Sequence, residues 1–121
     1  MMTLAGTTRI WLYRGAADMR KSFDGLAGMV RTYIGEDLFS GALFVFVNRR
    51  HTLVKVLYWQ RDGWVLWSKR LERGTFRLPA TASGTVRLEL TSADLAMLLE
   101  GITPRRLNRR YQRPPLLANV S

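Results

Sequence analysis

An α+β domain is what this 121-residue chain predicts: a mostly antiparallel sheet of about five strands packed against one long helix, with a second helix near its C-terminal end. Three observations predict it. Apolar runs at Leu43–Val47, Leu53–Trp59 and Trp64–Trp67 are separated only by short polar corners, the pattern of a meander. Met19, Phe23, Leu26, Val30, Tyr33 and Ile34 recur at spacings of mostly three and four, one face of a helix. Val86, Leu88 and Leu90 alternate with Thr85, Arg87 and Glu89, a strand with one wet face.

In order, Arg9-Ile10-Trp11-Leu12-Tyr13 is a short aromatic-rich strand that Gly15 ends. The helix is expected over Asp18–Ile34, with Asp18 at its positive end and Gly35 as its stop. Gly25 and Gly28 weaken it by roughly 1 kcal/mol each against Ala. Close packing of the helix on the sheet is the expected reason for them. Glu36 to Gly41 is a loop. In the meander, Asp62-Gly63 marks a turn, because Gly takes φ > 0 without steric cost. Leu71-Glu72-Arg73-Gly74 turns again, Thr75–Pro79 is extended, and Ala80–Gly84 is a small polar loop. Thr91 caps the second helix, Ser92–Glu100, with Asp94 in the capping-box position. Gly101 and Pro104 close it. Residues 1–102 therefore form one domain. Residues 103–121 form a flexible basic tail with Arg105, Arg106, Arg109, Arg110, Arg113 and no acid.

The charge is lopsided: 19 basic against 9 acidic residues, net +10. Most of the basic residues are Arg, whose planar fork pairs with phosphate in two bonds. A polyanionic partner is implied, nucleic acid first. The absence of cysteine excludes disulfides and thiolate metal sites and fits a reducing cytoplasm. Met1–Thr8 lacks the basic start and apolar stretch of a signal peptide. No apolar run approaches the roughly 20 residues of a membrane span.

Catalytic readings find little. A two-metal nuclease needs clustered carboxylates, and Asp18, Asp24, Asp62 and Glu72 are the available set. Helix-start chemistry accounts better for Asp18, and turn chemistry for Asp62. One His makes no two-His metal site, nothing fixes Ser22, Ser40 or Ser68 near His51, and no phosphate-binding loop motif occurs. No catalytic residue, metal or cofactor is expected. A binding reading uses Arg49, Arg50 and Arg61, placed on corners where long cationic chains reach phosphates. Trp59, Trp64 and Trp67 are either core or stacking planes for unpaired bases, with core the stronger reading.

Six blocks in sequence order carry a resemblance: Asp18–Leu26, Phe39–Phe46, Asn48-Arg49-Arg50, Lys55–Trp59, Asp62-Gly63-Trp64 and Lys69–Phe76. Over about Arg9 to Ile102 they resemble the TnpB accessory protein of the insertion-sequence sixty-six family, which shares only a name with RNA-guided TnpB nucleases. The resemblance implies a small protein encoded in a bacterial transposable element beside a separate transposase and needed for efficient transposition. In that setting two functions are expected. One is a non-enzymatic factor binding transposon DNA, or the transposase–DNA complex, through Arg49, Arg50, Arg61, Lys69, Arg70 and Arg73, helped by Arg105, Arg106, Arg109 and Arg110. The other is a protein–protein adaptor for the transposase without direct DNA contact.

Overall fold

The computed structural model describes residues 7–79 and 85–101. Strand β1 (Ile10–Ala16) leads into helix α1 (Phe23–Met29), which continues as a π-helical turn (Val30–Ile34). Strands β2 (Leu43–Val47), β3 (Leu53–Gln60) and β4 (Gly63–Arg70) follow, then β5 (Arg87–Leu90) and helix α2 (Ser92–Glu100). The sheet order is β4-β3-β2-β1-β5. All neighbours are antiparallel except β1 and β2, which run parallel because α1 carries the chain across between them.

The sheet is covered on both faces, and this explains the apolar run of β2. Phe44 and Phe46 pack with Trp11, Leu57 and the α1 residues Leu26, Val30 and Ile34. Leu43, Val45 and Val47 pack on the other side with Val54, Val56, Phe76 and the α2 residues Leu95 and Leu98. A central strand with both faces dry reads as continuous hydrophobicity rather than alternation. No described helix is long and apolar enough to cross a membrane.

The first helix starts five residues later than the expected Asp18. The Asp18 carboxylate accepts the Arg20 backbone N–H at 3.0 Å and the Arg20 guanidinium at 3.1 and 2.9 Å, closing a local turn instead of a helix. Lys55 Nζ then donates to the carbonyls of Met19 and Lys21 at 2.8 and 3.1 Å. The first helical bond runs from Leu26 N–H to Ser22. At the other end Gly35 adopts φ 73° as expected, donating its N–H to Val30. Helix α2 keeps its predicted bounds, with the Thr91–Asp94 capping box formed in both directions and Gly101 at φ 71°. The extended segment 75–79 joins no ladder; the Phe76 N–H donates to the His51 carbonyl at 2.7 Å and its ring is fully buried.

The β3–β4 corner differs in one detail. Gln60 pairs with Gly63, so the loop is Arg61-Asp62, and the positive φ of 57° belongs to Arg61. Gly63 is the first residue of β4, not the turn's left-handed residue.

Candidate nucleic-acid interface

The β2–β3 corner is built on Asn48. Its Oδ1 accepts the N–H groups of Thr52 and Leu53 at 2.8 and 3.0 Å, and its Nδ2 donates to Thr52 Oγ1 at 3.1 Å. His51 completes the turn at φ 60°. This staple pushes Arg49 and Arg50 to the exposed tip, where neither has an ion-pair or hydrogen-bond partner among the described residues.

Strand register decides which other cations join them. Leu53 pairs with Arg70, and Leu71 N–H bonds the Thr52 carbonyl, so Arg70 and the turn carrying Arg73 lie at the same end of the sheet. Arg77 follows Phe76, which is tied to His51, and is exposed there too. Its place in the extended segment beside apolar Phe76 is the signal in the sequence that marks it. Arg70 is held at 3.2 Å by Glu72, with both side chains over two-thirds exposed, a pair that solvent screens. Arg73 and Arg77 have no acid partner among the described residues.

Two expected residues are elsewhere. Lys69 turns onto the α2 face, where its Nζ donates to the Leu99 carbonyl at 2.7 Å and satisfies the negative end of that helix. It is a structural group here. Arg61 occupies the opposite corner, just past β3, whose seven steps from Leu53 to Gln60 span about 23 Å at ~3.3 Å per residue. Arg105, Arg106, Arg109 and Arg110 lie outside the described residues. Gly101, the last described residue, sits against Leu71 and Thr75 at the Arg49 end.

The tryptophans divide: Trp64 and Trp67 are half-buried against the two core clusters, while Trp59 is half-buried and belongs to neither. Trp59 and Trp64 meet edge to face at 5.1 Å, and Phe39, 60% exposed, touches both at 5.0 and 5.6 Å. Trp67 packs against the α2-side core. Among the described residues, Trp59 and Trp64 sit beside Arg61, at the other end of β3 from the arginine tip.

Gly25 and Gly28 are not sites of close packing. A Cβ on Gly28 would meet nothing within 4 Å, and one on Gly25 would meet only the Lys21 side chain at 3.1 Å. Both line an open groove of about 430 Å³ with Tyr13, Tyr33, Lys21 and Asp18.

The acids do not converge. Asp18 is engaged by Arg20, whose guanidinium and backbone N–H hold its carboxyl at about 2. Glu72 is engaged by Arg70, and Asp62 is at the far corner. Among the described residues no three His, Cys, Asp or Glu groups could hold a metal ion. Acids instead neutralise arginines away from the tip: Glu89 holds Arg9 at 2.7 Å and Glu36 holds Arg87 at 2.9 Å. Those two guanidinium groups also lie over Trp11 at 5.0 and 4.8 Å. Acids thus pair Arg9 and Arg87 on the β1–β5 side, whereas Arg49, Arg50, Arg73 and Arg77 at the β2–β3 end, like Arg31 and Arg61 elsewhere, have no acid partner among the described residues.

Comparison with known proteins places this arrangement. The family model described as "IS66 Orf2 like protein" matches residues 8–109. The match extends seven residues beyond Ile102, so Arg105, Arg106 and Arg109 fall within the family's span, contrary to the narrower resemblance read from the sequence. "Uncharacterized protein y4hO" of Sinorhizobium fredii (strain NBRC 101917 / NGR234) is 35% identical over 84% of this chain and 87% of its own length. "Uncharacterized protein y4jC" of the same strain is 28% identical over 88% and 90%. No solved structure matches. The family match spanning most of the chain, together with a relative 35% identical over 84% of it, shows that the chain belongs to the IS66 Orf2-like (TnpB_IS66) family of insertion-sequence proteins.

Proposed function

We propose that this transposon accessory protein acts without catalysing a reaction, binding the DNA of its element, or the transposase–DNA complex, at the β2–β3 end of the sheet. The observation that carries the reading is the uncancelled charge of Arg49, Arg50 and Arg73 at the end of the sheet where Gly101 also lies. Long cationic side chains on a rigid corner suit phosphate contact, which is independent of base sequence. Arg70 and Arg77 belong to the same surface; Arg61 and Lys69 do not.

A salt titration of DNA binding tests it. Each phosphate neutralised contributes about −0.9 to the slope of log K against log salt. Arg49→Ala/Arg50→Ala should flatten the wild-type slope by roughly 2 and weaken binding at every sequence. A wild-type slope near zero, or a slope the double variant leaves unchanged, refutes the phosphate contact.

The adaptor reading rests on Phe39, Trp59 and Trp64 beside Arg61, the residue types that dominate protein interfaces. Retention of transposase on the immobilised protein after nuclease treatment, lost with Phe39→Ala, favours it.

A further inference from the structure

The two edges of the sheet are built differently. At one edge, β5 has four residues, two of them the charged Arg87 and Glu89, with Arg9 paired across to Glu89. Short length and charge are how natural sheets prevent edge-to-edge pairing. At the other edge, β4 has eight residues, and its first five are Gly63-Trp64-Val65-Leu66-Trp67 with no charge, proline or bulge. All five are only partly buried. Strand β4 pairs with β3 alone, so its outer backbone groups have no partner among the described residues.

The register shows which groups these are. In a two-residue hairpin the closing pair, here Gln60 and Gly63, exchanges both backbone bonds, and the pattern then alternates. Gly63, Val65, Trp67 and Lys69 therefore bond inward to β3. The N–H and C=O of Trp64, Leu66, Ser68 and Arg70 point outward.

We propose that this edge is a self-association site, where β4 of a second copy pairs antiparallel about a two-fold axis through Leu66. Leu66 then faces Leu66 of the second copy, Trp64 faces Ser68, Val65 faces Trp67, and Asp62 comes opposite Arg70. Every outward backbone group from Trp64 to Ser68 gains a partner, and no like charges stand opposite one another. The antiparallel arrangement sends the two Arg49–Arg50 corners to opposite ends of the joined ten-stranded sheet, so salt screens their mutual repulsion, which falls off over about 8–10 Å. A dimer built this way is isologous and closed, so it does not propagate into a fibre.

The test uses the full chain without DNA. Analytical ultracentrifugation at high micromolar concentration should give twice the 13.9 kDa chain mass. Ser68→Pro removes one outward N–H and no bond to β3, and should yield a folded monomer by circular dichroism. Leu66→Lys, which sets two cations on the axis, should weaken the dimer at least about tenfold and covers the case in which the proline variant fails to fold. The chain has no cysteine, so Leu66→Cys reports directly. A directly opposed hydrogen-bonded pair has Cα atoms about 5.5 Å apart, within disulfide reach, whereas Arg61→Cys should not cross-link. A wild-type mass of one chain overturns the proposal. So does a dimer that Leu66→Lys leaves intact and Leu66→Cys fails to cross-link.

Discussion

Replacing Gly28 with alanine should stabilise the protein. Gly28 lies inside α1, its φ is not positive, and a Cβ built there meets no atom within 4 Å. The methyl group therefore adds helix propensity without steric cost. Glycine in a helix interior is about 0.8–1 kcal/mol less favourable than alanine, part of which acts by reducing the freedom of the unfolded chain. An increase of roughly 0.5–1 kcal/mol is expected, which in a domain of this size raises Tm by about 2–8 °C. Thermal and urea unfolding followed by circular dichroism measure it. Had the glycine been needed for helix–sheet contact, overpacking would cost about 1–3 kcal/mol, so the two accounts differ in sign. Destabilisation by Gly28→Ala would refute the open-groove geometry. Gly25→Ala should gain less, since the Lys21 side chain at 3.1 Å must give way. Gly35→Ala is the control: at φ 73° a Cβ is strained by about 1–2 kcal/mol, and the variant should lose stability.

Two further outcomes follow from named contacts. Lys55→Met removes the donor to the Met19 and Lys21 carbonyls; at about 1.5–3 kcal/mol for hydrogen bonds to a charged group, the urea midpoint should fall and amide exchange should quicken over residues 17–22, whereas unchanged stability would show that the lysine does not hold this turn. The Asp18 carboxyl, lowered from 3.8 to about 2 chiefly by its hydrogen bond to the Arg20 side chain, has a folded value below its unfolded one, so its contribution is present above pH ~4 and lost as pH falls through about 2; in a carboxyl NMR titration Arg20→Ala should move the midpoint back toward 3.8, and a midpoint that stays at about 2 contradicts the assigned cause.

Local pattern carried much of the architecture. The meander was legible because each strand is an apolar run closed by a polar corner, and α2 because Thr91, Asp94 and Gly101 mark both its ends. What local pattern does not contain is where β1 and β5 join the sheet. The parallel pairing of β1 with β2 depends on α1 packing back over the sheet, and the late start of that helix depends on Lys55, more than thirty positions away from the carbonyls it binds. The site divides in the same way. Arg49, Arg50, Arg70 and Arg73 come together by hairpin arithmetic, since β3 and β4 are equally long. The same arithmetic sends Arg61 to the far corner. The fate of Lys69 was not legible, because its partner Leu99 belongs to a helix whose docking site the sequence does not state. The helical glycines were misread because a small residue has the same spacing whether it faces a neighbour or open space.

Strand β1 sits second from one edge, between β2 and β5, yet it is made near the beginning of the chain and β5 near the end. At ribosomal rates of about 5–20 residues per second, Ile10 waits roughly 4–16 s for its partner Leu90 to be synthesised. Collapse and hairpin closure take microseconds, so β2, β3 and β4 can zip together long before then. The nascent protein thus spends seconds with strand β1 half-clothed, and α2, which follows β5, completes the described core.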